Sequence, residues 1–156
     1  VEGIYSEGNC YDSIQDAIDS VYTKNGDSIQ IKPGIYNENI SLHKNVSLVG
    51  AGIGQDPLTN TIIRQASESA VVTLSASGTS STQPLTLKNI RIEPTQNAGI
   101  EIIDQAIANI LLDTISIEGS EPAKDEQIGV KIGKNALVKV SKPVKGVAGY
   151  PTPPAR

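Results

Sequence analysis

Short runs of alternating apolar and polar residues, separated by Gly, Pro and Asn, recur along the first half of this chain. Four of them lie at residues 28–31, 39–42, 46–49 and 61–64. Runs of this length and period predict strands, because neighbouring side chains of a strand point to opposite faces. Many brief strands joined by tight turns favour a chain that winds into a coil of stacked strands.

The second half contains two internal repeats. The segment at 89–93 (Asn-Ile-Arg-Ile-Glu) recurs at 114–118 (Thr-Ile-Ser-Ile-Glu), 25 positions later. The segment at 99–102 (Gly-Ile-Glu-Ile) recurs at 129–132 (Gly-Val-Lys-Ile), 30 positions later. The difference fits a short insertion at 120–127 that loops out between turns of the coil. Periods of this size are typical of solenoids, in which each turn, or rung, packs on its neighbours.

The rungs predict both the strands and the core. Aromatic residues make up 3% of the chain and all are Tyr, so the core must be built from aliphatic side chains. We predict strands near 29–31, 40–42, 46–49, 61–64, 71–74, 85–92, 100–103, 109–112, 114–117, 129–132 and 136–140. We expect these side chains to face inward: Ile31, Ile40, Leu48, Ile63, Val72, Leu87, Ile90, Ile92, Ile102, Ile115, Ile117, Val130, Ile132 and Val138.

One short helix is predicted before the first strand, over residues 12–22. Asp12 or Ser13 is a suitable N-cap. An apolar stripe at helical spacing follows, and residues 25–27 (Asn-Gly-Asp) break the pattern. The stripe consists of Ile14, Ala17, Ile18 and Val21. The glycine-rich segment 50–54 is predicted to be a loop, and the loop-like residues after it argue against a phosphate-binding motif.

The order of these motifs resembles a known family. Residues 13–18 (Ser-Ile-Gln-Asp-Ala-Ile), 26–40, 46–52 (Val-Ser-Leu-Val-Gly-Ala-Gly) and 61–63 (Thr-Ile-Ile) carry the resemblance. They are similar to the N-terminal end of right-handed parallel β-helix proteins of the pectate-lyase-like and pectinesterase-like superfamily. The resemblance implies an all-β fold, a right-handed parallel β-helix of about four rungs, with an N-terminal α-helix plugging one open end. It also implies that the stretch around 34–36 forms the first rung.

Three segments follow from this interpretation. Residues 1–10 are a lead-in, residues 11–141 form the β-helix with its capping helix, and residues 142–156 are a Pro-rich tail or linker. The last rung, around 129–140, has no visible cap. We therefore expect self-association or further rungs at the C-terminal end, since unpaired strand edges and exposed apolar rungs recruit partners. Stacking that does not close would give filaments, and closure would give a small oligomer.

Composition excludes several partner classes. A net charge of −4 and a pI near 5.0 argue against nucleic acid, which requires clustered Lys and Arg. No apolar run approaches the length of a membrane span, so no membrane insertion is expected. A single cysteine, Cys10, excludes an internal disulfide and a Cys-based zinc cluster, and we expect it to be buried or half-buried. The absence of Met indicates a processed or excised piece.

Catalytic signals are missing from the pattern. The pectinesterase resemblance would imply an Asp-Phe-Ile-Phe-Gly element, but the chain has no Phe. The lyase resemblance would imply an acidic calcium cluster, and no such spacing occurs. No catalytic, cofactor-binding or metal-binding residue is therefore carried over from the family, and no cofactor is expected. The only histidine, His43, is interpreted as a surface residue.

Outward polar residues remain as weak surface candidates that could line one face of the coil. Glu101 and Lys131 occupy equivalent rung positions, which predicts a cross-rung salt bridge. Asp104 and Asp113 as a catalytic pair is a much weaker alternative, because nothing in the spacing brings them together. The candidates are Arg64, Arg91, Glu101, Asp104, Asp113 and Lys131.

Two functions stay open at this point. One is a non-catalytic β-helix segment, secreted or on the cell surface, that acts as a scaffold, an assembly subunit or a glycan-binding surface, with polysaccharide as a partner. The other is the N-terminal part of a polysaccharide lyase, esterase or hydrolase whose active site lies downstream. The missing catalytic elements favour the first.

Overall fold

The computed structural model of the chain describes residues 4–6, 9–95, 97–103, 107–119 and 129–140. Its elements begin with β1 (Ile4–Ser6), β2 (Asn9–Tyr11) and α1 (Ile14–Asp19). Six strands follow: β3 (Ser28–Ile31), β4 (Gly34–Asn37), β5 (Ile40–Leu42), β6 (Ser47–Gly52), β7 (Thr61–Arg64) and β8 (Val72–Leu74). The last five are β9 (Leu85–Glu93), β10 (Ile100–Ile102), β11 (Ile110–Ile117), β12 (Val130–Ile132) and β13 (Val138–Val140).

The described residues wind into a parallel β-solenoid. The smaller sheet stacks β12-β10-β8-β5, and every pair in it is parallel. The larger sheet runs β13-β11-β9-β6-β3, with β4 and β7 beside it, and then adds β1 and β2. About three turns of the coil separate the first and last strands of the smaller sheet. The predicted all-β parallel coil with very little helix is confirmed, and its four rungs amount to about three full turns.

The repeats predicted the register of the later rungs. Ile90 pairs with Ile115 on the neighbouring strand, and Ile100 pairs with Val130, which places Glu101 beside Lys131. Both offsets read from the sequence are therefore confirmed. The segment 120–127, which was expected to loop out between rungs, lies outside the described residues, as do the predicted tail 142–156 and Asp104.

The core is a column of aliphatic side chains inside the coil. Of the residues predicted to face inward, all are buried except two in the last rung: Ile132 is 40% exposed and Val138 is half-buried. The predicted register was right. Ile132 and Val138 are more exposed than the others because of their position at the end of the stack. They belong to β12 and β13, which are the last strands of the two sheets in the described part of the chain.

The helix is real but shorter than predicted. Ser13 is the N-cap, and its Oγ accepts a hydrogen bond from the Asp16 backbone nitrogen at 3.0 Å. Ile14, Ala17 and Ile18 are buried as expected, but Val21 is 82% exposed. The helix ends at Asp19 because Ser20 leaves helical geometry, and Lys44 Nζ donates to the Ser20 backbone oxygen. The carbonyl oxygen of this C-cap residue is thus bonded by a lysine of the coil instead of by a further helical turn.

The position of α1 agrees with a cap. It contacts β3, the first parallel strand of the larger sheet, and β5, the end strand of the smaller sheet. Two hydrogen bonds tie its first turn to the coil: the backbone nitrogens of Ile14 and Gln15 donate to the carboxylate of Glu38. A negative group at a helix N-terminus satisfies otherwise unpaired N–H groups.

The N-terminal segment contains structure that the sequence did not predict. Strands β1 and β2 form an antiparallel hairpin, and β1 pairs with β3. Ile4 is fully buried against the coil. Cys10 lies on β2, the outer strand of the larger sheet, and is exposed, so the expectation of a buried thiol was wrong.

The glycine-rich loop prediction was also wrong, because residues 50–52 continue strand β6. This strand bulges between Val49 and Gly52 where it packs on β9. A Cβ at Gly50 would lie 2.4 Å from the backbone oxygen of Asn89, so only glycine fits this close approach. Asn89 and Thr114 occupy the equivalent position in the next two rungs, and both have positive φ. The larger sheet therefore bends at the same position in successive rungs.

A far-ultraviolet circular dichroism spectrum provides a simple check on this architecture. We expect a β-dominated spectrum with a minor helical component, because one helix of six residues is described. A helix content above about one third, the average of globular proteins, would contradict the fold.

Candidate functional site

Polar side chains at the end of the larger sheet stack from rung to rung. Asn37 is in register with Arg64 on the next strand, and Arg64 is in register with Glu93. Glu118 extends the same column, because the preceding residue, Ile117, pairs with Ile92. Parallel pairing in a coil repeats each sequence position at one place on the surface, so a column of like positions becomes a row of neighbouring groups.

Hydrogen bonds join this column to Arg91, which lies two residues before Glu93. Arg64 Nε donates to Glu93 Oε1 at 2.7 Å, and Arg91 Nε donates to Glu93 Oε2 at 2.9 Å. Arg91 Nη2 also donates to Glu118 Oε2 at 2.8 Å. We call Arg64, Arg91, Glu93 and Glu118 the charged ladder. It connects three rungs through alternating cations and carboxylates.

Arg91 is the buried centre of the charged ladder. Its side chain is 7% exposed, compared with 46% for Arg64. In the stacked strands it lies in register between Ile62 and Ser116, and both of these residues are buried. The hydrogen bond to Glu118 raises the pKa of Arg91 despite the opposing effect of burial, so it remains charged. Buried charges are stable only when they are paired in this way.

The ionisation of Glu93 is set by opposing effects. Burial raises its pKa, but the hydrogen bonds from Arg64 and Arg91 and their positive charges outweigh burial, so the pKa lies below its usual value. The carboxylate is therefore ionised at neutral pH, with each oxygen accepting from a different arginine. This is the geometry of a charge-assisted structural link.

A groove of about 300 Å³ runs along the charged ladder. Polar groups from neighbouring rungs and a turn complete its wall. The other residues that line it are Asn37, Gln65, Pro94, Thr95 and Gly119.

Glu93 and Glu118 are site residues that the sequence-based prediction missed. The signal was present, because each is the last residue of the repeated five-residue segment, at 89–93 and 114–118. Residues at equivalent repeat positions stack in a solenoid, so the repeat predicts that the two glutamates are neighbours. An arginine two positions before the first of them then supplies the cation that their charges require.

The predicted pairing of Glu101 with Lys131 is confirmed, with Lys131 Nζ 2.9 Å from Glu101 Oε1. Both groups are partly exposed, so the pair contributes little to stability, on the order of 0–1 kcal/mol. They belong to β10 and β12 of the smaller sheet, whereas Arg64 and Arg91 belong to the larger one. The expectation that all candidates share one face was therefore wrong.

Asp113 has structural partners as well. Its Oδ2 lies 3.8 Å from Lys88 Nζ on the neighbouring rung, and its Oδ1 accepts from Thr114 Oγ1 at 3.0 Å. Asp104 lies outside the described residues, so its pairing with Asp113 stays a prediction. Each described acidic candidate thus faces a cation of the adjacent rung.

His43 is a surface residue, as predicted. Its Nε2 lies 2.6 Å from Asp19 Oδ1, and both side chains are about half exposed. The hydrogen bond to His43 lowers the pKa of Asp19. The contact ties the end of α1 to the turn after β5 and is another structural link.

No family model, curated protein or solved structure matches the chain. Its resemblance to the pectate-lyase-like superfamily therefore remains a prediction, and the function must be argued from the geometry. In the described part of the chain, no helix is long and apolar enough to cross a membrane. Nor do the described residues contain three or more His, Cys, Asp or Glu side chains grouped so as to hold a metal ion.

Proposed function

We propose that this chain is a non-catalytic β-solenoid segment that serves as a scaffold in a secreted or cell-surface protein. One observation supports this most directly: several charged side chains on the described rungs face an opposite charge on a neighbouring rung. This arrangement occurs in two contacts of the charged ladder, Arg64–Glu93 and Arg91–Glu118, and in the Glu101–Lys131 and Lys88–Asp113 pairs. Groups placed in this way link rungs and stiffen the coil.

The ionisation of the ladder supports the same role. A carboxyl group that acts as a general acid needs a raised pKa, and a general base works best with a pKa near the operating pH. Glu93 has the opposite property, since its pKa is lowered and both oxygens accept hydrogen bonds from arginine. It is therefore a poor proton donor and a weak base.

Polysaccharide is the partner class that we propose for the outer surface. The groove beside the charged ladder is lined by residues of neighbouring rungs, whose amide, hydroxyl and guanidinium groups can bond to sugar hydroxyls. The alternative function, the N-terminal part of a polysaccharide-acting enzyme, makes a different demand. The residues encoded after Arg156 would then have to form further rungs with clustered Asp and Arg.

Incubation with polysaccharides tests this proposal. We expect the chain to release no new reducing ends and no unsaturated products from pectin-type or other acidic polysaccharides, because Glu93, Glu101 and Asp113 are paired with cations. A reducing-end assay and absorbance of unsaturated sugars measure this result. Turnover that disappears in Asp113→Asn or Asp104→Asn, and persists in the exposed control Glu68→Gln, would overturn the proposal.

A further inference from the structure

The two ends of the coil carry opposite charge. Residues 9–23, which include α1, contain Asp12, Asp16 and Asp19 and no Lys or Arg. Residues 129–140, which include β12 and β13, contain three lysines and no Asp or Glu. We call residues 12–22 the head and residues 129–140 the tail. The head covers the first parallel strands, and the tail holds the last described strand of each sheet.

Exposed apolar side chains concentrate at the same two places. At the head, Val21 is 82% and Tyr22 is 64% exposed directly after α1. At the tail, Leu137 is 71% exposed, and Ile132 and Val140 are also open to solvent. Most of the large apolar side chains that the described surface exposes therefore lie at the head or the tail. Exposed apolar groups beside charged ones are typical of interaction surfaces.

The tail also offers a recess for an apolar side chain. A groove of about 320 Å³ extends from the turn before β9 across the starts of β11 and β13, and Pro84, Leu111 and Leu137 are among the residues that line it. Its size suits one aromatic side chain with its neighbour. Val21 and Tyr22 are adjacent and exposed. The backbone on either side of them is held in place by Lys44, whose Nζ donates to the backbone oxygens of Ser20 and Thr23.

Part of the charge at each end has no internal partner. Lys131 is paired with Glu101, and Asp19 with His43. Lys134, Lys139 and Asp16 form no ion pair among the described residues. The Lys44 ammonium donates to the backbone oxygens of Ser20 and Thr23, so its positive charge lies close to the head and offsets one of the three negative charges there. The head thus remains acidic, and the tail remains basic.

We propose that a second copy of this chain is the partner, and that copies dock head to tail. Tyr22 and Val21 of one copy enter the groove beside Leu137 of the next, and Asp16 faces Lys134 and Lys139. A tail-to-tail arrangement is disfavoured, because it would place three lysines against three lysines. Since α1 covers the head, the contact is apolar and electrostatic and does not extend the strand ladder.

Each head-to-tail contact uses one head and one tail, so a pair of copies still has one free head and one free tail. Such a contact gives an open row of copies unless a rotation closes a ring. The row would extend the proposed scaffold beyond a single chain. The inference therefore specifies the partner of that scaffold and rests on the proposed function.

Sedimentation velocity of the whole chain over a wide concentration range tests the docking. At low salt we expect the sedimentation coefficient to rise with concentration, and at high salt to rise less, because salt screens exposed charges. Asp16→Lys and Lys139→Glu should each weaken association by about tenfold or more, since each places like charges together. A mixture of the two variants should associate again, because every mixed contact joins opposite charges.

The control is Glu68→Lys, which makes the same charge change as a head variant at an exposed residue away from both ends. It should associate like the wild type. Monomers at all concentrations at low salt would overturn the docking, as would Asp16→Lys associating like the wild type while Lys139→Glu does not associate. Those results leave the scaffold proposal standing, which only turnover in the polysaccharide assay would refute.

Discussion

Replacing Ile18 by Asp is expected to destabilise the protein by about 3–5 kcal/mol, the range found when a charge is buried without a partner. Ile18 is fully buried in α1, where it belongs to the same apolar cluster as Ile14 and Ala17. A carboxylate at this position would lose its hydration, and the apolar cluster around it offers no cation. Chemical denaturation followed by circular dichroism measures the free energy of unfolding.

Val21 provides the matched control for this substitution. It is the fourth residue of the same apolar stripe in the sequence, but it is 82% exposed because the helix ends before it. Val21→Asp should therefore change the unfolding free energy by less than about 0.5 kcal/mol, as is usual for surface sites. If Ile18→Asp unfolded like Val21→Asp, the helix would not cap the core.

The coil was predictable because a solenoid repeats its environment. Each rung offers the same inward positions, so an aliphatic pattern with a period of 25 to 30 residues predicts both the fold and the partner of each strand. The confirmed pairs Ile90–Ile115 and Ile100–Val130 follow from this alone. The first rungs were harder to assign, because loops of unequal length separate their strands.

The errors have local physical causes. Val21 fits the helical stripe, but the helix ends before it, where Ser20 leaves helical geometry and Lys44, from the turn after β5, bonds the Ser20 carbonyl oxygen. A contact with a residue so distant along the chain has no local sequence signal. Gly50 was assigned to a loop since glycine is common in turns. In the fold it lies in a strand, because the neighbouring rung approaches its Cα too closely for a side chain.

The sequence indicates only part of the charged ladder. Arg64 and Arg91 were selected as candidates without their carboxylate partners. Glu93 and Glu118 were already marked by the repeat, since they end the same five-residue segment. The burial of Arg91 was not visible in the sequence, because an outward-facing strand position is normally exposed. Only the stacking of neighbouring rungs around it shows that its charge is removed from solvent.

Replacing Arg91 by Met is expected to destabilise the protein by about 1–3 kcal/mol at neutral pH, because two charge-assisted hydrogen bonds are lost while Glu93 keeps its bond from Arg64. Met retains much of the side-chain volume but leaves Glu93 and Glu118 without their shared cation. The matched control is Lys131→Met, which removes the cation of the exposed pair with Glu101 and should cost about 0–1 kcal/mol. Thermal or denaturant unfolding of both variants measures the difference.

The cost of Arg91→Met should also depend on pH. The pKa of Glu93 is lowered in the folded protein from an ordinary value of 4.5, so this group contributes stability above that pH. The contribution is lost as pH falls through the folded-state pKa, when the carboxylate becomes protonated. In the Arg91→Met variant, the arginine no longer lowers the pKa of Glu93. Protonation of Glu93 in acid therefore costs the variant less folding free energy than it costs the wild type. The difference in unfolding free energy between wild type and Arg91→Met should therefore be largest near neutral pH and shrink below about pH 4.5. Adding Glu118→Gln to the variant should recover part of the lost stability at pH 7. A difference that is equal at all pH values would mean that Arg91 stabilises the coil through packing and not through its charge.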